Sequence, residues 1–324
     1  MPRMSEAFGE FQQLLKQKRY RDAAGLAEKE CQKSSSPDPF WLTQQAVALV
    51  RAGEPERALS AAKQALAADP SNPYAIMVAA DSLLGLGKVE DSLAHYREAL
   101  AFGKVAARAR KGALECLSRL SRWEEALSLL AEWALPEAES ASWKVKALAG
   151  LGRREEAIAE CGRWLERAPD HPPALWALTD LEVERDGLAP VIERMERALR
   201  IPSLPSVYRE IYASLCRKAG KPEAALKEYE KLEAQGAGLR VQKRQAFLLA
   251  KSGRESEALP LLEELLRAEP TDVYLHSSYE AACKRMGETE RAINFYTTLL
   301  GLHPQEKGLY GRIKTLRRKL ESPS

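Results

Sequence analysis

The stretch that decides the architecture runs from Pro73 to Lys104, PYAIMVAADSLLGLGKVEDSLAHYREALAFGK. Ile76, Ala80 and Leu83 recur at helical spacing up to Gly87, and Ser92, Tyr96 and Ala99 take up the same spacing beyond it. The spacing predicts one helix closed by Gly87 and a second that starts at once. The same pattern returns along the chain. Aligning segments such as EPERALSAAKQAL, RWEEALSLLAEW, KPEAALKEYEKL and ETERAINFYTTLL puts Ala23, Ala58, Ser92, Ala126, Ala157, Val191, Ala225, Ala258 and Ala292 in register. The intervals between them are 35, 34, 34, 31, 34, 34, 33 and 34 residues, a fixed period that makes the chain a repeat array. A glycine stands five residues before the register position at Gly53, Gly87, Gly152, Gly220, Gly253 and Gly287. A proline stands twelve residues after it at Pro70, Pro169, Pro270 and Pro304, where no helix can continue. Each unit therefore reads helix, glycine turn, helix, proline turn. The small register residue suits a close crossing, because helix axes about 8 to 10 Å apart leave no room for a large side chain.

These residues resemble the tetratricopeptide repeat (TPR) family, with Ile76, Ala80, Leu83, Gly87, Ser92, Tyr96 and Ala99 on the family positions. The resemblance spans the chain from about residue 4 to Pro304. It implies an all-α, right-handed superhelical solenoid of about nine TPR-like helix-turn-helix repeats, with first helices lining a concave groove. The expected organisation is an N-terminal array over 1–135 of about four repeats, a C-terminal array over 136–304 of about five, and a capping helix and tail over 305–324. The two arrays are continuous or are broken by a bend around residues 134–140, where the interval is short and Trp133 and Trp164 replace the usual alanine. The first unit lacks the turn glycine, the sixth carries Val191 and Glu182, and the ninth has Glu280 at a small position, so these three are expected to be loosely packed or specialised. In the tail, Leu309, Ile313, Leu316 and Leu320 form a helical stripe that needs a surface, as an end cap does.

Composition and motifs exclude several classes. The chain has 324 residues, 45% hydrophobic and 29% charged, with a formal net charge of +3, too small to attract nucleic acid in bulk. The longest uncharged stretch, Pro39 to Val50, falls well short of the roughly 20 apolar residues that span a bilayer, so no membrane insertion is expected. Charges at Glu6, Glu10 and Lys16 break any secretory leader, and a cytoplasmic protein is expected. Cys31, Cys116, Cys161, Cys216 and Cys283 lie tens of residues apart and read as packing residues; no metal or other cofactor is expected. No nucleophile elbow, phosphate loop or dinucleotide fingerprint occurs, so the chain is expected not to be an enzyme.

The resemblance implies that groove-facing side chains of the first helices bind the partner. On the family register these include Lys111, Arg119, Lys146, Trp176, Arg217, Lys218, Arg240, Lys243, Phe247, Lys251, Lys284 and Arg285. Cations interleaved with aromatic rings suit an acidic peptide or helix of a protein partner. A competing reading is that Arg119, Lys218, Lys251 and Arg285 merely oppose the helix dipole in a last turn. The Asn and Lys set that clamps a peptide's terminal carboxylate is missing, since Asn72 sits in a turn and Asn294 on a second helix. The expected function is a protein-interaction scaffold or adaptor, in a bacterial secretion, pilus or signalling assembly. The alternative is single-stranded RNA binding, which Asp81, Glu115, Asp180 and Glu210 disfavour by interrupting the basic groove. No residue pattern specifies an oligomeric state.

Overall fold

The computed structural model describes residues 2–33, 36–133, 135–201 and 203–321, with side chains from residue 6 onward. Nineteen helices and no strand occur among the described residues. In order they are α1 (Pro2–Lys16), α2 (Tyr20–Gln32), α3 (Pro39–Arg51), α4 (Pro55–Ala68), α5 (Pro73–Gly85), α6 (Val89–Ala99), α7 (Gly103–Arg119), α8 (Trp123–Glu132), α9 (Glu137–Gly150) and α10 (Arg154–Arg167). They continue with α11 (Pro172–Asp186), α12 (Leu188–Ala198), α13 (Ser206–Lys218), α14 (Pro222–Ala234), α15 (Leu239–Lys251), α16 (Glu255–Ala268), α17 (Val273–Met286), α18 (Thr289–Leu302) and α19 (Lys307–Glu321). Two compact units divide the chain, Met1–Trp164 and Leu165–Ser324. No described helix is long and apolar enough to cross a membrane.

Inside each unit successive helices pack as hairpins, α1 with α2, α3 with α4, α5 with α6 and α7 with α8 in the first and α11 with α12 through α17 with α18 in the second, and even helices pack on the next odd one, as α2 does on α3 and α14 on α15. Odd helices also touch one another, α3 with α5 and α5 with α7 in the first unit, α11 with α13 and α15 with α17 in the second. They form one layer and the even helices form the other. Nine hairpins and a final helix correspond to the expected nine repeats and cap. Every register residue lies at the crossing, from Ala58 and Ala258 at 0% exposure to Ala126 at 2%. Ser92 adds a hydrogen bond there, its hydroxyl donating to the Ala80 carbonyl at 2.8 Å.

Local signals set the helix starts. Asn72 accepts hydrogen bonds from the Tyr74 and Ala75 amides, and Asp272 from those of Tyr274 and Leu275, so both cap first helices. The turn inside a hairpin needs a left-handed residue. At Gly87 φ is +73°, and the Lys88 amide returns to the Leu83 carbonyl at 2.9 Å. The first and fourth units have no glycine at this place, yet Lys18 and Ser121 take φ of +59° and +55°. Their following amides, Arg19 to Leu14 and Arg122 to Leu117, close the same bond at 2.9 Å. Packing of the hairpin thus overrides the backbone preference of two ordinary residues.

Two of the three irregular units carry charge pairs, the sixth where an aromatic is usual and the ninth where a small residue is. Glu182 pairs with Arg194, and Glu280 accepts from Arg312 of α19, which ties the final helix to the ninth unit. Leu309, Ile313 and Leu316 are buried, whereas Leu320 at the end of the stripe is 42% exposed. Residues 322–324 of the expected tail and residue 134 of the expected bend lie outside the described residues. Trp133 sits half-buried at the end of α8, and Trp164 is buried in α10.

Gly87→Ala meets open space, so its cost is backbone strain alone, about 1 kcal/mol. Ser121→Gly relieves the same strain and should raise stability by up to about 1 kcal/mol, less the extra chain entropy of glycine. Opposite shifts of the two midpoints in urea unfolding are the expected outcome.

Candidate functional site

A cleft of about 490 Å³ opens in the second unit between α11, α13 and α15, with α14 at its back. Helical spacing along α15 builds one wall: Arg240, Arg244, Phe247 and Lys251 follow each other at intervals of four, three and four residues, on one face. Trp176 of α11 and Ser214 and Arg217 of α13 form the opposite side, and Leu248 and Tyr229 floor it. The Arg244 guanidinium stands 5.7 Å from the Trp176 ring centroid, a cation held over an aromatic face.

One carboxylate serves this cluster. Glu210 of α13 accepts from Arg240 at 2.6 Å and lies 3.5 Å from Arg244. No carboxylate pairs with Arg217 or Lys251 among the described residues. Tyr229 is 0% exposed, and no acceptor takes its hydroxyl hydrogen; the Arg217 guanidinium stands beside its oxygen on the donor side. Burial raises the Tyr229 phenol above its ordinary range, while the neighbouring cations Arg244 and Arg217 act in the opposite sense. The cleft is therefore an electropositive, partly apolar recess with a buried donor at its floor.

Five residues expected from the sequence come together here: Trp176, Arg217, Arg240, Phe247 and Lys251. The others do not join them. Lys218 pairs with Asp180 at 3.1 Å, and Lys243 is held between Glu269 and Asp272 at 2.6 Å from each. Arg285 bonds to Glu255 and to the Ala250 carbonyl, and Lys284 lines a separate cleft with Lys319 and Leu320. Lys111, Arg119 and Lys146 belong to the first unit, paired with Glu139 at 3.1 Å and with Glu115 at 3.0 and 3.8 Å. Lys146 also lies 4.6 Å above the Trp143 ring. Arg244, Ser214, Leu248 and Tyr229 were missed. The spacing of Arg240, Arg244, Phe247 and Lys251 was a readable signal for Arg244; nothing in the sequence marks the Tyr229 hydroxyl as lacking an acceptor.

Residues 16–99 match the family model described as anaphase-promoting complex, cyclosome, subunit 3, and residues 77–142 match the one described as tetratricopeptide repeat. Together with the hairpins, the register and the turns, this decides the family. Tetratricopeptide repeats build this chain. Such repeats generally mediate protein–protein interaction and are typically non-enzymatic. No curated protein matches the TPR chain. Among solved structures, it is similar to the C-terminal part of a TPR repeat-containing protein from Cytophaga hutchinsonii, with 13% identity, 84% of this chain and 98% of that chain covered, and a TM-score of 0.49. A tetratricopeptide repeat protein from Parabacteroides merdae is similar at 14% identity over 86% of this chain and 98% of that one, with a TM-score of 0.37.

The Lys243 site yields a test of the paired cations. Burial alone would raise the Asp272 carboxyl, but hydrogen bonds from Lys243 and from the Leu275 and Tyr274 amides outweigh it and hold the group below its ordinary 3.8. A depressed carboxyl stabilises the fold above its unfolded value, and that contribution is lost as pH falls through the folded value. Lys243→Ala should therefore cost about 1 kcal/mol at neutral pH, with the deficit shrinking below pH 3.8 as Asp272 protonates. Urea unfolding of both proteins across that range reads it.

Proposed function

We propose that this TPR protein is a non-enzymatic scaffold or adaptor that takes an acidic segment of a partner protein on the layer of first helices, in the cleft between α11, α13 and α15. The observation that carries the reading is charge: Arg217, Arg240, Arg244 and Lys251 converge on one recess that holds a single acidic neighbour, Glu210. Elsewhere several first-helix cations are met by carboxylates, Arg108 by Asp81, Lys218 by Asp180 and Lys243 by Glu269 and Asp272. An uncompensated cluster steers an acidic partner, and the Trp176, Phe247 and Leu248 surfaces supply the desolvated anchor that dominates affinity. The family resemblance offers a cytoplasmic setting, in assembly of a bacterial secretion, pilus or signalling complex.

The test is fluorescence anisotropy with a short, amidated, Glu-rich peptide carrying one Phe. Arg217→Ala with Phe247→Ala should weaken binding by about tenfold or more while circular dichroism stays helical. Lys218→Ala, outside the cleft and paired with Asp180, should leave affinity within about twofold. Equal affinity for wild type and the double variant rejects the cleft as the binding site. Tighter binding of a single-stranded oligoribonucleotide than of the peptide would replace this reading with RNA recognition.

A further inference from the structure

Three second helices carry a tyrosine four residues past the register position, Tyr96 after Ser92, Tyr229 after Ala225 and Tyr296 after Ala292. All three rings are buried. The Tyr96 hydroxyl donates to Asp81 Oδ1 at 2.6 Å, and Arg108 of the next repeat closes on the other carboxylate oxygen. The Tyr296 hydroxyl lies 3.2 Å from Glu280 Oε1, which also receives Arg312 of α19 at 2.5 Å. Each is a tyrosine, a carboxylate of its own hairpin and an arginine of the following element. The carboxylate accepts a hydrogen bond from the phenol and the cation balances its charge.

The seventh repeat keeps the two outer members and lacks the middle one. Asp81 stands six residues before the turn glycine Gly87, and the residue six before Gly220 is Ser214. Arg108 stands 18 residues before the register residue Ala126, and the residue 18 before Ala258 is Arg240. Tyr229 is retained, but the serine is too short and uncharged to serve it, and its buried hydroxyl has no acceptor. Arg240 and, at 3.5 Å, Arg244 turn to Glu210, leaving Arg217 and Lys251 beside the gap without a carboxylate. A buried unpaired donor is costly and rare, and here it faces a recess rather than packed core. The third repeat shows what chemistry fills this place, and the ninth supplies the same groups from one residue earlier, Glu280 standing seven before Gly287 where the seventh repeat has Ala213.

We infer that the cleft binds a side-chain carboxylate, Asp or Glu, of the partner's acidic segment, seated where Asp81 sits in the third repeat. It accepts a hydrogen bond from the Tyr229 hydroxyl and pairs with Arg217, while a neighbouring apolar side chain lies on Phe247 and Trp176. The inference rests on the acidic-segment reading above and specifies its central contact. Four cations against Glu210 leave an excess of positive charge that a segment with several acidic side chains meets better than a single terminal carboxylate does.

The decisive variant is Ser214→Asp, which restores the missing carboxylate from within. With the acetylated and amidated Glu-rich peptide, Ser214→Asp should weaken binding by about tenfold or more, with a melting temperature equal to or above wild type. Ser214→Asn, of the same bulk without charge, should weaken it less. Tyr229→Phe should reduce affinity for the Glu peptide and narrow its margin over a Gln-substituted one. Wild-type affinity in Ser214→Asp overturns the inference, as does a Gln peptide with a free C-terminus that binds as tightly as the amidated Glu peptide. If the Arg217 and Phe247 variant loses binding while Ser214→Asp keeps it, only this inference fails. If wild type binds no acidic peptide, the functional reading fails with it.

Discussion

Everything in this chain depends on a hairpin being too small to hide its own apolar surface. Its helices run from 10 residues in α8 to 17 in α7, lengths at which an isolated helix is marginal in water. Stability comes from burying each hairpin on the next, and the crossing has to be tight. The register position is therefore alanine or serine in eight of nine repeats and valine in the other, every one of them buried. Where a side chain has to press closer still, glycine appears: a Cβ at Gly112 would lie 2.4 Å from the Tyr96 ring, and one at Gly150 would lie 2.3 Å from Trp123. The period is a packing constraint repeated along the chain, and it fixes which side chains the first-helix layer presents.

The second helices and the turns that precede them are laced by charge pairs between repeats. Arg21 with Glu54, Arg122 with Glu90, Arg254 with Glu223 and Arg285 with Glu255 each join residues 30 to 33 apart. Pairs this exposed contribute at most about 1 kcal/mol each, so they are minor supports of the stack. Their larger effect is on the surface. They consume most of the field that 49 basic residues would project, leaving unbalanced positive charge in a few places. The cleft on α13 and α15 is such a place, because four cations converge there on one carboxylate, Glu210.

The fold was legible because its determinants are local and recur. Apolar spacing, turn glycines and terminal prolines each report on a few adjacent residues, and repetition multiplies the signal. Even the turns without glycine were placed correctly by register, since Lys18 and Ser121 adopt the left-handed conformation under the same packing demand. The site was legible only in part. A cation on a first helix can be placed on the groove side from its register, but its partner comes from another repeat. Lys243 illustrates the limit: its position marked it as a binding residue, whereas Glu269 and Asp272 hold it from the following turn. Tyr229 illustrates the converse. Its position marked it as core, and the ring is core, but the hydroxyl at its end has no acceptor.

Repetition also gives the structure an internal reference. In a unique fold an unsatisfied tyrosine hydroxyl has nothing to be measured against. Here the third and ninth repeats supply the comparison, because each places a carboxylate and an arginine around the same ring, though from different positions of its first helix and of the following one. Asp81 shows what that arrangement demands: burial raises its carboxyl, and the Tyr96 hydroxyl and Arg108 are the groups that oppose the rise. A carboxylate at that depth is stable only when both are present. The seventh repeat has kept the hydroxyl and surplus cations while giving up the acid, so it carries the electrostatic cost of an unbalanced recess within the folded chain. A recess of that kind favours an acid from outside for the same reason that Asp81 is held inside: both bring the negative charge on which the donor and the cations converge.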